Sequence, residues 1–194
     1  MIVGILALQG DYQKHRDICI SLGVYSILVR CLDELRSCHA LIIPGGESTT
    51  ISMQIDKAGL RRGVEEFSKN KPIFGTCAGM IILSSNNPEE NMNPLNIMDF
   101  KVDRNAWGRQ IDSFSANVSL NFDQDILFKA LFIRAPRIIE ISEKIEVLAS
   151  YNDEPILITN GMHIASSFHP ELGVDYRVHK FFIDKINEEI SITI

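Results

Sequence analysis

Residues 72–83 have the sequence PIFGTCAGMIIL, a G-x-C-x-G motif between two apolar runs. An apolar run, a glycine-rich turn and a second apolar run are typical of a strand that turns sharply into a helix. Such a turn exposes its central side chain over the end of a sheet, because the flanking glycines let neighbouring backbone approach closely. We therefore predict that Cys77 lies at a strand-to-helix elbow of an α/β fold.

Cys77 has the setting of a nucleophile. A thiol at a helix N-terminus lies at the positive end of the helix dipole, which favours the reactive thiolate. The backbone N–H of the next residue, Ala78, can donate to an oxyanion, so activation and transition-state stabilisation share one turn. On the motif alone, the alternative is a buried structural cysteine, since free cysteines are among the most buried residues.

A histidine and a glutamate near the end of the chain supply the partners that a nucleophilic cysteine needs. The apolar segment 164–168 has the length of a strand, so His169 is expected at a strand end. Glu171 lies two residues further on, across a proline that fixes the local backbone. We predict that His169 acts as the base toward Cys77 and that Glu171 holds the imidazole in the correct tautomer.

The other four of the five histidines lack this setting. His15 and His179 fall in helical patterns and are interpreted as surface or packing residues. His39 and His163 lie beside predicted strand starts and have no acidic residue at short range. His169 is therefore the candidate base.

Length and composition favour one globular domain over residues 1–194. Hydrophobic residues make up 45% of the chain, and a formal charge of −6 without a basic run argues against nucleic-acid binding. The apolar segment 1–8 lacks a cationic region and is too short to span a bilayer. The cysteines at positions 19, 31, 38 and 77 have neither zinc-site spacing nor a disulfide pattern. We therefore predict no metal or cofactor, and a reducing, cytoplasmic location.

Strand-length apolar runs alternate with helical patterns through the first half of the chain. Strands are predicted at 2–8, 24–29, 40–43 and 72–74, and helices at 11–23, 48–57 and 60–69, with Asp11 capping the first helix. The Asn-, Pro- and Glu-rich segment 86–96 is interpreted as an exposed loop. Later strands are predicted at 97–102, 114–120, 131–133, 138–141, 145–149, 155–159 and 164–168, before a helix at 175–189. The pattern favours a three-layer α/β sandwich with a mostly parallel central sheet and added antiparallel strands.

Five separated motifs carry a resemblance to a known family. They are LQGD at 8–11, PGGESTT at 44–50, GTCAGM at 75–80, RNAWGRQ at 104–110 with DSF at 112–114, and IRAP at 133–136. The elbow and the His-Pro-Glu segment resemble the class I, or triad, glutamine amidotransferases. Together the five motifs resemble the glutaminase subunits of pyridoxal 5′-phosphate synthase within that class. Ala106 and Trp107 depart from the residues that relatives commonly carry, which concerns packing near the pocket and not the triad.

This resemblance implies hydrolysis of L-glutamine to L-glutamate and ammonia, and transfer of the ammonia to a synthase subunit that builds pyridoxal 5′-phosphate. It implies a triad of Cys77, His169 and Glu171, with an oxyanion hole formed by the backbone N–H groups of Gly46 and Ala78. It also points to a glutamine pocket formed by Gly46, Glu47, Ser48, Arg104, Ile133 and Arg134.

The pocket also suggests how the zwitterionic ends of glutamine are bound. Glu47 is expected to meet the ammonium group, and an arginine is expected to meet the carboxylate. We further expect weak activity of the isolated chain and stimulation by the synthase, because a Gly-Gly turn can rest in an unproductive orientation until a partner docks.

Other interpretations stay open at this point. The glutaminase of imidazole glycerol phosphate synthase shares the triad but lacks the GGESTT and IRAP signatures. A cysteine peptidase or amidase would use the same triad without the glutamine-pocket motifs. A non-enzymatic relative that keeps the elbow fold would be marked by a missing triad member. Without the resemblance, Arg104 and Arg134 would be interpreted as members of surface ion pairs.

Overall fold

The structure, a computed structural model, describes residues 1–85, 93–104 and 113–192. Within these ranges the chain forms eleven strands and six α-helices. The strands are β1 (Ile2–Leu6), β2 (Tyr25–Val29), β3 (Ala40–Ile43), β4 (Ile73–Thr76), β5 (Phe100–Asp103), β6 (Ser113–Leu120), β7 (Asp123–Ile133), β8 (Arg137–Ile141), β9 (Glu146–Tyr151), β10 (Glu154–Thr159) and β11 (Ile164–Ser166). The helices are α1 (Tyr12–Ser21), α2 (Leu32–Arg36), α3 (Ser48–Lys57), α4 (Arg61–Ser68), α5 (Ala78–Leu83) and α6 (Arg177–Ile192). A 3-10 turn at Pro170–Leu172 lies between β11 and α6.

A seven-stranded sheet with the order β2-β1-β3-β4-β11-β10-β9 forms the middle of the molecule. Its first five strands are parallel, and the pairs β11–β10 and β10–β9 are antiparallel. Every residue of β3 and β4 is buried, as expected for central strands that are covered on both faces. The mostly parallel sheet with antiparallel additions confirms the predicted α/β fold.

Two hydrophobic cores lie on opposite faces of this sheet. In β3, Leu41 and Ile43 belong to one core and Ile42 to the other, because successive side chains of a strand point to opposite faces. Helices α2 to α5 and the β5–β8 pair contribute to the first core. Helices α1 and α6 and the β6–β7 ribbon contribute to the second. Three layers result, as predicted.

The N-terminal helix and its neighbourhood differ from the sequence prediction in detail. The first strand ends at Leu6, and α1 covers a shorter range than the predicted 11–23. Asp11 occupies the N-cap position of α1, as predicted, but its side chain makes no capping hydrogen bond. The five-residue helix α2 was not predicted; Glu34 supports its start by accepting from the Arg30 and Cys31 N–H groups at 2.6 and 3.1 Å.

Strand β7 is the largest difference. Only 131–133 was predicted as strand, whereas β7 begins at Asp123 and pairs antiparallel with β6. Phe128, Ala130 and Phe132 lie in the second core, and the residues between them are more exposed. Buried and exposed residues therefore alternate along the strand, and its sequence lacks a long run of buried apolar residues. The strand predicted at 97–102 is confined to Phe100–Asp103. Ala106, Trp107, most of the RNAWGRQ motif and residues 86–92 of the predicted loop lie outside the described residues.

Candidate active site

Cys77 lies between β4 and α5, at the turn that the G-x-C-x-G motif predicts. Its φ of 50° is a left-handed conformation, which costs a non-glycine residue about 1–3 kcal/mol. The Cys77 N–H donates to the Ser166 carbonyl at 2.7 Å and ties the elbow to the end of β11. Position 79 needs glycine, because a Cβ there would overlap the carbonyl oxygen of Ile43. These constraints hold the thiol at the carboxyl end of the parallel strands.

His169 reaches the same edge of the sheet because β11 runs parallel to β4. A Cβ placed on Gly45 would lie 2.5 Å from His169 Cε1 and 3.4 Å from Cys77 Cβ, so both side chains border this glycine. Nδ1 of His169 lies 2.7 Å from Oε1 of Glu171. An ionised carboxylate only accepts hydrogen bonds, so Nδ1 is assigned as the donor and Nε2 remains as the basic nitrogen.

The electrostatics of this pair favour a charged imidazole. Burial alone would lower the pKa of His169, but the hydrogen bonds and charges of Cys77 and Glu171 raise it to about 10. Burial alone would raise the pKa of Glu171, but the imidazoles of His15 and His169 hold it below its ordinary value. The site is therefore built to accept a proton on His169 while Glu171 stays ionised.

A cavity of about 350 Å³ opens in front of Cys77 and His169. Its lining includes Ala78 and all six residues predicted for the glutamine pocket: Gly46, Glu47, Ser48, Arg104, Ile133 and Arg134. Gln9 and Ile81 also line it, although no role was predicted for either. The one sequence signal for Gln9 is its place in the LQGD motif. Cavities of this size accommodate small ligands such as an amino acid.

Glu47 is bound to its own helix. Its carboxylate accepts from the N–H groups of Thr49 and Thr50 at 3.0 and 2.7 Å, and from the Thr50 hydroxyl at 2.6 Å. These hydrogen bonds, the one from the Thr50 hydroxyl most strongly, lower the pKa of Glu47 to about 2. Glu47 is thus the N-cap of α3, and its contact with a substrate ammonium group stays a prediction.

Arg104 brings a cation to the rim of the cavity. Its Nη2 lies 3.4 Å from Glu47 Oε1 and 3.1 Å from the Thr49 hydroxyl. The Arg104 side chain is 22% exposed and that of Glu47 53%, so the pair is partly shielded from solvent. A partly buried guanidinium beside a cavity can bind a carboxylate more strongly than a fully solvated one.

Gln9 and Gly10 hold the Gly45-Gly46 turn. Gln9 Oε1 accepts from the Glu47 N–H at 2.9 Å. Gly10 has a φ of 95°, and a Cβ there would overlap the Gly45 carbonyl oxygen. That carbonyl faces Gly10, and a trans peptide directs its N–H the opposite way, so the Gly46 N–H points away from Gly10. The part of Gly46 in an oxyanion hole stays a prediction.

Ile133 is the last residue of β7, and it lines the cavity together with Arg134, which follows it. Arg134 has a φ of 43°, a second left-handed non-glycine residue at this site. The Ile133 carbonyl oxygen lies 3.9 Å from Cys77 Sγ. Strain of this kind persists only where the surrounding structure enforces it, and here it directs a backbone carbonyl toward the thiol.

The remaining histidines fall into two groups. His39 Nδ1 accepts from the Ile2 N–H at 3.0 Å, and His163 Nδ1 accepts from the Ile73 N–H at 3.1 Å, so both support strand starts. His15 and His179 are fully buried and lie 2.9 Å apart through Nδ1 and Nε2. A surface position for these two is therefore wrong, whereas the packing interpretation agrees with their burial. Their helical sequence patterns gave no signal of a shared polar contact.

Residues 1–85, 93–104 and 113–192 contain no group of three or more His, Cys, Asp or Glu side chains arranged to hold a metal ion. Among the same residues, no helix has the length and apolar character needed to cross a membrane.

Comparison with known proteins gives one consistent result. The model of the SNO glutamine amidotransferase family matches residues 5–188. The pyridoxal 5′-phosphate synthase subunit PdxT of Pseudothermotoga lettingae is 46% identical over 188 residues, which cover 95% of each chain. The protein of the same name from Brevibacillus brevis is 43% identical over 189 residues, covering 97% of this chain and 98% of the relative.

Solved structures agree with the sequence matches. A crystal structure of a glutamine amidotransferase superposes with a TM-score of 0.90 at 38% identity, covering 96% of this chain and 100% of the other. A putative GMP synthase component from Thermoplasma acidophilum superposes with a TM-score of 0.71 at 18% identity, covering 100% of this chain and 97% of the other. At that identity the second match supports the fold alone.

Proposed function

The chain belongs to the SNO glutamine amidotransferase family, and we propose that its Cys77, His169 and Glu171 carry out the hydrolysis of L-glutamine to L-glutamate and ammonia. One observation carries the assignment of these residues. A thiol on a strained elbow and an imidazole bound to a buried carboxylate border the same glycine, Gly45, and two of the three line one cavity. This is the geometry of a nucleophile, a base and an orienting group.

The first half-reaction forms a thioester. With the thiol proton already held on His169 Nε2, Cys77 Sγ attacks the side-chain carboxamide carbon of glutamine. The backbone N–H groups of Ala78 and Gly46 stabilise the oxyanion of the tetrahedral intermediate. The carbon–nitrogen bond then breaks, and His169 returns the proton to the departing ammonia. Throughout, Glu171 accepts a hydrogen bond from the Nδ1–H of His169 and stabilises the imidazolium.

The second half-reaction releases glutamate. Water attacks the thioester carbon and gives a proton to His169 Nε2, and the same N–H groups stabilise the second oxyanion. The carbon–sulfur bond breaks, and the proton on His169 returns to the Cys77 sulfur. The raised pKa of His169 supports both halves, because the imidazole accepts a proton readily in each.

Substrate selection falls to the polar lining of the cavity. Arg104 and Arg134 offer guanidinium groups for the substrate carboxylate, and Glu47 offers a carboxylate that stays ionised because its pKa is about 2. Ser48 and the Ile133 carbonyl supply neutral hydrogen-bonding groups. This mixture of charges suits a small zwitterion that also carries an amide.

The ammonia is proposed to serve a pyridoxal 5′-phosphate synthase subunit in a hetero-oligomer. The curated relatives from Pseudothermotoga lettingae and Brevibacillus brevis carry the name PdxT over nearly their full length, and this supports that partner over imidazole glycerol phosphate synthase. We propose one domain over residues 1–194 and a cytoplasmic location. The four free cysteines support the location, since unpaired thiols are typical of a reducing compartment.

The test is glutamate release from L-glutamine by the purified chain, with and without a pyridoxal 5′-phosphate synthase subunit. Cys77→Ala serves as the blank, because it removes the sulfur and keeps the Cβ of a small side chain, so the fold should stay intact. We expect activity that depends on Cys77 and rises when the synthase subunit is added. Activity retained by Cys77→Ala would refute the nucleophile, and equal activity with and without the synthase would refute stimulation by that partner.

A further inference from the structure

A layer of polar side chains lies behind the triad, which we name the carboxylate cluster: Glu171, Thr76, His15 and His179. His15 comes from α1, His179 from α6 and Thr76 from the end of β4. The four residues are between 0% and 3% exposed. His15 Nδ1 lies 2.9 Å from His179 Nε2, and His15 Nε2 lies 3.3 Å from the Thr76 hydroxyl and 3.6 Å from Glu171 Oε2.

One carboxylate oxygen of this cluster needs a donor. Oε1 of Glu171 accepts from His169, whereas the buried Oε2 has no hydrogen-bond partner among the described residues. A buried charged oxygen without a donor carries a substantial desolvation penalty. His15 Nε2 lies 3.6 Å from this oxygen, within a few tenths of an ångström of hydrogen-bond distance, and is the candidate donor.

The charge on Glu171 determines where the protons of the cluster lie. A carboxylate only accepts, so a hydrogen bond from His15 to Glu171 requires the His15 proton on Nε2, where the Thr76 hydroxyl at 3.3 Å can also accept from it. Burial lowers the pKa of His15, which keeps the ring neutral and leaves Nδ1 as an acceptor for the Nε2–H of His179. The opposite tautomer would direct a nitrogen lone pair of His15 at the carboxylate. The arrangement is therefore His179 Nε2–H to His15 Nδ1, and His15 Nε2–H to Glu171.

We propose that His15 is a positioning residue of the triad, which donates its Nε2–H to Oε2 of Glu171 and is held in that tautomer by His179. The inference rests on the proposed function of Cys77, His169 and Glu171. Its consequence is that the carboxylate stays ionised and cannot rotate, so that Oε1 keeps its 2.7 Å contact with His169. His15 acts through Glu171 and is not among the residues that line the cavity in front of Cys77.

The titratable groups around Glu171 define what a pH profile would report. His169 from its own segment and His15 from α1 face the carboxylate, and His179 from α6 lies behind His15. Burial lowers the pKa of His15 and the charge of Asp11 opposes this, while the Cys77 thiol acts through His169. Burial raises the pKa of Glu171, and the imidazoles of His15 and His169 lower it. Without the His15 donor only His169 would oppose the effect of burial, so the pKa of Glu171 would rise.

The kinetic test compares His15→Leu, His15→Gln and His163→Leu with the wild type in the presence of the synthase subunit. For His15→Leu we expect kcat to fall roughly 10- to 100-fold, the range seen when a hydrogen-bonded partner behind a metal-bound histidine is lost. KM should change little, and the acidic limb of the pH profile should move to higher pH. His15→Gln keeps an N–H donor and should recover most of kcat.

His163→Leu is the matched control, because His163 is also buried and also uses a ring nitrogen in a hydrogen bond, but its partner is the Ile73 N–H at the start of β4 and not a member of the triad. A purely structural role for His15 would lower the free energy of unfolding in both Leu variants and leave kcat per folded molecule and the pH profile unchanged. That result would overturn the proposal.

A direct measurement covers the case in which His15→Leu does not fold. The ¹⁵N chemical shifts of histidine-labelled wild-type protein report which ring nitrogen of each histidine carries the proton. We expect a neutral His15 protonated on Nε2, and a neutral ring protonated on Nδ1 would overturn the proposal. The measurement needs no activity, so a failure of the proposed glutaminase function and a failure of this inference are distinguishable.

Discussion

The elbow around Cys77 and the carboxylate cluster around Glu171 hold two parts of one candidate site by different physical means. The elbow, residues Gly75–Gly79, is fixed by backbone: a left-handed residue, a 2.7 Å N–H bond to Ser166 and a glycine packed against a carbonyl. The carboxylate cluster is fixed by buried ionisable side chains from three separate elements. A substitution that adds side-chain volume should therefore disturb the elbow most. A change of pH or of the protonated ring nitrogen should disturb the carboxylate cluster most.

The largest expected effect on stability comes from adding side-chain volume at the elbow. Gly79→Ala adds a Cβ that overlaps the Ile43 carbonyl oxygen, and backbone cannot move aside as a flexible side chain can. We expect the free energy of unfolding to fall by about 3 kcal/mol, the upper part of the range for overpacked cores. Urea unfolding followed by circular dichroism measures it.

Gly173→Ala is the matched control on the other side of the comparison. Gly173 has a φ of −90°, and a Cβ there would meet nothing closer than 3.9 Å. We expect a change within about 0.5 kcal/mol. Equal losses in the two variants would contradict the view that sterics at Ile43 fix the elbow.

The second prediction tests the ionised pair of His169 and Glu171 by varying the pH. The pKa of His169 is raised from 6.5 to about 10, so its interactions stabilise the folded state fully below about pH 6.5 and are lost as the pH rises through about 10. The stability difference between wild type and His169→Asn should therefore be largest in mildly acidic solution. It should shrink toward pH 10, by no more than about 1.4 kcal/mol per pH unit.

Thermal unfolding of both proteins between pH 6 and pH 10 provides the measurement. Gly79→Ala is the reference that should show a difference independent of pH, since no titrating group is changed. A His169→Asn difference that stays constant over this range would contradict a charged His169 in the folded protein.

The smallest expected effect concerns Glu47, which caps α3 at the rim of the cavity. Its folded pKa of about 2 lies below the ordinary 4.5, so its contribution is present above pH 4.5 and is lost as the pH falls through about 2. Glu47→Gln should cost about 1 kcal/mol at pH 7, the typical loss for a helix N-cap. Unfolding measured at pH 7 and pH 3 checks this, and a larger cost at pH 3 would contradict the assigned role.

Local backbone chemistry made much of the candidate site predictable. A few consecutive residues are enough to indicate each of three features: the elbow at Cys77, the strand end before His169 and the proline before Glu171. The structure confirms the strand-to-helix turn and brings the predicted pocket residues into one cavity. Such features are predictable because glycine, proline and apolar runs constrain the chain where they stand.

Other features depend on contacts that no short pattern records. His15 and His179 are 164 residues apart and meet only because α1 and α6 lie on the same face of the sheet. Strand β7 was largely missed because its inward residues alternate with more exposed ones. Glu47 was expected to face the substrate, and its bond to its own helix became visible only with the start of α3 in place.

The central claim is that Cys77 forms a covalent bond with the substrate. The direct measurement is rapid acid quenching of the chain and its synthase subunit during turnover of L-glutamine, followed by mass spectrometry of the digested protein. The account predicts a γ-glutamyl thioester on the peptide that contains Cys77, and its absence in Cys77→Ala. Steady production of glutamate with the acyl group on another residue would contradict it.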